Sequence, residues 1–259
     1  MDYLVFRLYA PMASWGDSAV GEMRGSRTEP GEAALLGLLA AALGIDRSDE
    51  PAHQALRDGY DLAVAVLDEG RLLRDFHTTQ VPSRVSLKGK PHRTRRDEVI
   101  AVSPKDNPVL STRDYRQDPI YLISVSAREA APHSLAALAD AIRKPRYTLY
   151  LGRKSCPPAA PMWPQVETAA DVLQACEAYL ERLAAAVSDS KRKWWDAESQ
   201  AGLDKDNKPL PILSLHWGEH SSSGVPKMIT VPRKDHLLSR TRWQFGDRSA
   251  HVWHRPGEH

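Results

Sequence analysis

The stretch Lys144–Pro158, KPRYTLYLGRKSCPP, collects residue types that serve three different chemistries. Cys156 is a thiol that an adjacent base would turn into a nucleophile. The same thiol is one of the ligand types from which metal sites are built. The flanking cations Lys144, Arg146, Arg153 and Lys154 suit a bound anion instead. Gly152, followed by Arg153, Lys154 and Ser155, offers a turn whose backbone N–H groups and side chains can come close to phosphates. No base is identifiable beside Cys156, two prolines stiffen the chain after it, and no second cysteine stands at ligand spacing. The weight therefore falls on residues 152–155 as an anion grip, with Cys156 as packing. Cys176 lies on the apolar stripe of a predicted helix and reads as a small core residue.

A second concentration of charge runs from Pro82 to Val99, PSRVSLKGKPHRTRRDEV. Here Arg84, Lys88, Lys90, Arg93, Arg95 and Arg96 precede the first acid, Asp97. Such a run is either a solvated loop or an arm that follows a phosphate backbone. Val81, Val85, Leu87 and Val99 supply apolar positions for two strands of a long hairpin. Metal-free RNA cleavage needs a base for the 2′-hydroxyl proton and an acid for the leaving oxygen. His77, Lys88, His92 and Tyr115, near the arm, are of suitable type. The same cations serve equally to neutralise an RNA that is bound and never cut, and spacing leaves both readings open. The glycine-rich nucleotide, phosphate-loop, zinc-protease and serine-hydrolase motifs are absent from the sequence. His220, His251 and His254 read as surface residues, and Asp17, Glu22 and Glu29 are too irregularly spaced for a metal site.

These groups need a scaffold, and 259 residues with 42% hydrophobic and 26% charged content suffice for a large core. A net charge of +2 does not announce a nucleic-acid binder, so the placement of the cations decides. Two cysteines without a framework and an N-terminus without a signal pattern fit a cytoplasmic protein. The apolar run Ala33–Ile45 is too short to span a bilayer and reads as a buried helix, with Pro30 before it and Gly44 near its end.

Tyr3–Tyr9 reads as a first strand, and Tyr60–Thr78 as two strands joined by a turn at Asp68–Gly70. Asp118–Ala127 is a further strand, HSLAALADAIRKP a helix stopped by Pro145, and YTLYLG the strand after it. This order predicts an α+β fold of ferredoxin-like (RRM-type) form, an antiparallel sheet with helices on one face. After Pro164 an amphipathic helix follows, with Thr168 as its N-cap. The polar excursion SKRKWWDAESQAGLDKDNKPLP precedes a strand-rich tail with ILSLHW, MITVP and RWQFG. The expected division is 1–163, with an inserted arm at about 79–115, and 164–259.

Several blocks, in order, carry a family resemblance: Phe6–Gly16 (FRLYAPMASWG), the first helix, Leu73–Thr78 (LRDFHT), Ser111–Asp118 (STRDYRQD) and Lys144–Pro161. Together they resemble the CasD family of the type I-E CRISPR surveillance complex, Cascade, a branch of the RAMP superfamily. The resemblance implies a ferredoxin-like domain with an inserted β-hairpin thumb and a small strand-rich C-terminal region. It also implies a subunit that holds the 5′ handle of the CRISPR guide RNA and caps the backbone filament. CasA and the last CasC would be its neighbours, and target DNA would be met only through the complex. Another subunit, CasE, generates the handle, so the family member is expected to bind RNA without catalysis and without a cofactor.

On this sequence the implied RNA contacts are Arg24, Arg27, His77, Arg84, Lys88, Arg113, Tyr115 and Arg146, with Tyr147, Tyr150 and Gly152–Ser155. Tyr147 and Tyr150 lie three apart on the predicted strand and would face opposite ways, one towards a base and one into the core. The sequence departs from the family at EPGEAALLG (29–37), where members carry a Thr-[Arg/Lys]-Ser-Gly type segment.

Overall fold

The computed structural model describes residues 1–16, 21–188 and 201–257. Strand β1 (Asp2–Tyr9) is buried from Tyr3 to Leu8 because both faces of its sheet are covered. Leu4, Phe6 and Leu8 point into one core with helices α1 (Glu32–Leu43) and α5 (Leu135–Arg143), whereas Tyr3 and Val5 point into a second core with α6 (Val172–Ser188). This is period-2 alternation in a strand without a solvent face. Helices α1 and α5 share one face, and α6, from the region after Pro164, covers the opposite one. Arg7, 1% exposed on β1, is accommodated there by the Pro161 and Ala201 carbonyls, each 2.9 Å away.

The main sheet has seven strands in the order β10-β1-β9-β6-β11-β13-β12, with every pairing antiparallel. Its first half comprises β10 (Gln165–Thr168), β1, β9 (Ile120–Ala127) and β6 (Tyr60–Asp68). The tail supplies β11 (Ser214–Trp217), β12 (Ile229–Ser239) and β13 (Gln244–His254), which continue this sheet past β6. Asp171, not Thr168, caps α6: its carboxylate accepts the Gln174 amide at 2.9 Å, while Thr168 ends β10 and bonds Asp2. A helix that sequence reading passed over, α2 (Glu50–Gly59), begins at Asp49 with proline in its first turn. Residues 189–200 of the polar excursion lie outside the described residues.

The YTLYLG segment is not a strand, and the next strand in the chain, β10, pairs with β1. Its backbone groups are satisfied elsewhere. The Arg146 and Tyr147 amides donate to the carbonyls of Ala42 and Ala41 at the end of α1, and the Leu151 amide donates to the Cys156 carbonyl at 2.8 Å. Alternating polarity persists because Leu149 and Leu151 fill the core.

Strand β7 (Arg71–Thr79) pairs with β8 (Val109–Gln117) over nine rungs, Arg71↔Gln117 to Thr79↔Val109, as a hairpin in a second sheet. The strands of this arm begin before the basic run, and the run itself is helical where strands were expected. Val85 and Leu87 lie in α3 (Arg84–Leu87) and Val99 in α4 (Arg95–Ala101). A capping box between Thr94 and Asp97 nucleates α4 and overrides the β preference of the valines. At the foot of the hairpin, β8 also pairs with β2 (Met12–Ala13) and β4 (Met23–Arg24), while β3 (Trp15–Gly16) pairs with β5 (Ser26–Arg27). The Gly-rich first loop is therefore stitched to the arm. Among the described residues no helix is long and apolar enough to cross a membrane.

Candidate nucleic-acid interface

Gly152 sits at φ +83, and a Cβ on it would lie 1.8 Å from the Ser14 carbonyl oxygen. No other residue fits there without moving the backbone. The contact locks the 144–158 segment onto the first loop: Ser14 N–H donates to the Leu151 carbonyl at 3.1 Å, and Ser14 Oγ donates to the Asp114 carbonyl of β8 at 3.0 Å. Beyond Gly152 the chain turns, with the Cys156 amide donating to the Arg153 carbonyl at 2.9 Å. The amides of Gly152, Arg153, Lys154 and Ser155 take no acceptor among the described residues. Lys154 and Ser155 are exposed.

Arg153 is braced rather than free. Its guanidinium lies 4.7 Å over the Tyr115 ring, its Nη2 donates to the Arg24 carbonyl at 3.4 Å, and its Nη1 is buried without a partner. Beside it, Asp114 is held below the usual carboxylate range, first by the bidentate Arg74 guanidinium (2.9 and 3.1 Å). Arg74 makes the direct ion pair with that carboxylate, and Arg153 adds a weaker through-space attraction to it without a hydrogen bond. Arg24 pairs with Arg113 across β4 and β8. The Arg24 carbonyl also receives Arg153, so the backbone brings Arg24, Arg113 and Arg153 into one neighbourhood beside β8, with Lys154 next in the chain.

The remaining predicted residues fall elsewhere. Tyr115 is 9% exposed beneath Arg153, so it supports the cation and offers no open ring. His77 is half-buried near Asp75, 3.7 Å away, and stands opposite Ser111. It is four rungs from Tyr115, about 13 Å along the strand. Arg84 and Lys88 are exposed on the helical tip, beyond the last rung. Arg146 is exposed at the end of α1, its side chain lying over Gly44. Tyr147 and Tyr150 are both exposed, at 49% and 40%, which corrects the assignment of one to the core; in a coil the leucines turn inward instead. Cys156 is 1% exposed and burial raises its thiol pKa, while Cys176 is pushed up to about 12 by burial.

Arg27 lines a groove of about 600 Å³ that also contains Tyr150, Lys234, Arg240, Trp243 and Phe245. The tail residues were missed, although the alternating cations and aromatics of RTRWQF (240–245) were a visible signal. Near the start of α1 the tail is held by ion pairs. Glu29 binds Arg233, His236 lies 3.0 Å from Glu32, and Asp235 accepts from Arg248 at 2.7 Å and from the Glu32 amide at 2.9 Å. His216 faces Glu29 at 3.9 Å, and burial lowers its pKa to about 4. Among the described residues no cluster of His, Cys, Asp and Glu could hold a metal ion.

The family model described as CRISPR-associated protein (Cas_Cas5) matches residues 3–250. The chain is 34% identical over 170 residues to the CRISPR system Cascade subunit CasD of Escherichia coli (strain K12), covering 62% of this chain and 69% of that relative. A solved structure described as a CRISPR RNA-guided surveillance complex aligns with a TM-score of 0.61 at 21% identity, over 97% of this chain and 89% of that one. A crystal structure of a Cas protein aligns with a TM-score of 0.53, also at 21% identity, over 97% and 94% of the two chains. At these identities the structural likenesses concern the fold.

Proposed function

Because the chain belongs to the CRISPR-associated Cas5 family and is a relative of the Cascade subunit CasD, we propose that it binds CRISPR RNA in a Cascade surveillance complex without cutting it. In this reading it holds the single-stranded 5′ handle, caps the backbone filament in the cytoplasm beside CasA and CasC, and meets target DNA only through the complex. The observation that carries the reading is the Gly152–Ser155 turn, pressed by Gly152 against Ser14, whose hydroxyl bonds β8, with Arg153 braced on the Tyr115 ring and the Arg24 carbonyl. Unpaired amides with adjacent cations on a rigid backbone are what a phosphate chain requires. The half-sheet β10-β1-β9-β6 with α1 and α5 has the order 4-1-3-2, which supports a ferredoxin-like domain with β7–β8 as its thumb.

The competing reading, a metal-independent endoribonuclease, gains no support from the geometry. Of its candidate residues, His77 and Tyr115 are four rungs apart, and the Tyr115 ring is covered. Incubating the full chain with labelled CRISPR repeat RNA in EDTA separates the two. The expected result is a retained, uncut RNA; specific cleavage that His77→Ala abolishes would overturn the binding-only reading.

A further inference from the structure

The groove of about 600 Å³ lies between α1, residues 148–152, β3 and the β12–β13 hairpin. Its floor is cut from the smallest side chains of α1, Ala33, Ala34, Gly37 and Ala41, so the helix yields space. Its other walls present the rings of Tyr150, Trp243 and Phe245 with the cations Arg27, Lys234 and Arg240. The carboxylate among the lining residues, Asp235, is already engaged by Arg248 and by the Glu32 amide. Lys234 and Arg240 therefore put positive charge beside flat aromatic surface.

Arg240 sharpens the point. It has no carboxylate at ion-pair distance among the described residues, and its Nε is buried without a partner. Its guanidinium lies 4.9 Å from the Trp243 ring centroid, and Arg47 lies 4.6 Å from the same ring. Two cations sharing one indole repel each other; the Glu50 carboxylate beside them offsets part of this and is itself held by the Arg240 and Thr241 amides.

An independent observation concerns Trp243 itself. It has φ 55, a left-handed conformation that glycine and asparagine adopt readily and a bulky side chain does not. A hairpin loop built for stability alone would place glycine there. An indole kept in that conformation points to a use for the ring.

We propose that this groove binds one unpaired nucleotide of a single-stranded RNA, its base against the Tyr150, Trp243 and Phe245 rings and its phosphate at Arg240 and Lys234. The volume falls within the range of small-ligand pockets, roughly 300–1,000 Å³. Rings with adjacent guanidiniums are the recurrent platform for a splayed base. Gly152 lines the groove and also opens the phosphate-gripping turn, so a nucleotide here continues a chain held there. The inference rests on the RNA-binding reading of that turn and adds a base-recognising site to it.

The test uses the full chain and a single-stranded RNA octamer of repeat sequence carrying 2-aminopurine at one position at a time. Fluorescence should be quenched at one position or two adjacent ones. Trp243→Gly should abolish the quench and weaken binding roughly 5–150-fold, the contribution of one stacked base, while leaving the melting temperature unchanged or higher. Ala34→Phe, which fills the groove from the α1 side, should do the same to binding. If Arg153→Ala weakens binding while Trp243→Gly and Ala34→Phe leave affinity and quench unchanged, the pocket is refuted and the RNA-binding reading survives. An octamer that does not bind the unaltered chain refutes both. The pocket for a chain-borne nucleotide also falls if AMP alone binds as tightly as the octamer. It falls equally if Trp243→Gly spares RNA binding and instead releases a protein subunit from the assembled complex.

Discussion

The guanidinium of Arg153 lies 4.7 Å over the ring of Tyr115, so the cation of the proposed RNA grip is stacked on one of the residues whose type suited metal-free cleavage. In the proposed RNA-binding reading Tyr115 is the support and Arg153 the contact. Tyr115→Phe keeps the ring and should leave RNA affinity within about two-fold. Tyr115→Ala should lower affinity by about 3–10-fold, as loss of a cation–π partner implies, and also destabilise the fold. Equilibrium binding to repeat RNA measures both, and a phenylalanine variant as weak as the alanine one would count against the assignment.

Gly152 is where backbone geometry and function coincide. Gly152→Ala places a methyl group within 1.8 Å of the Ser14 carbonyl in a left-handed conformation. Urea unfolding should show a loss of about 2–4 kcal/mol, and RNA affinity should fall with it because the turn detaches from the arm. Unchanged stability would mean that the close approach is absent in solution.

Stability should depend on pH through His216. Burial lowers its pKa to about 4, below the ordinary value near 6.5, so the folded protein binds this proton less readily than the unfolded chain. The contribution is complete above pH 6.5 and is lost as pH falls towards 4, by up to about 3 kcal/mol. Unfolding curves from pH 7 to 4.5 for the unaltered chain and for His216→Gln should converge as pH falls; parallel curves would contradict this origin.

Cys156 should be inert. Its thiol is 1% exposed and burial raises its pKa, so iodoacetamide should label neither cysteine in the folded chain at pH 7.5. Cys156→Ala should reduce stability by roughly 1–2 kcal/mol and leave RNA affinity unchanged. Rapid labelling of Cys156 would reopen the nucleophile reading.

How much of this could be read from the sequence varied with what each residue answers to. Strands β1 and β9 and helices α1 and α5 were legible because their patterns report burial directly. YTLYLG misled because period-2 polarity describes which side chains turn inward, not where backbone groups are bonded; here the end of α1 and Cys156 take them. In the arm, valines suggested strands, although Thr94 and Asp97 already spelled a helix start. The cations of the anion grip were legible as types. That Arg74 bonds Asp114 directly while Arg153 stacks on Tyr115 emerged only from the fold. Trp243 and Arg240 were missed because they come from a hairpin some ninety residues after the motif they join across the groove.

The most direct test of the central claim is the salt dependence of repeat-RNA binding by the full chain and by the Arg153→Ala/Lys154→Ala double variant. If both side chains neutralise phosphates, the slope of log K against log salt should flatten by about 0.7 per cation removed, and affinity at low salt should fall at least ten-fold. An unchanged slope and affinity would show that the Gly152–Ser155 turn does not hold RNA.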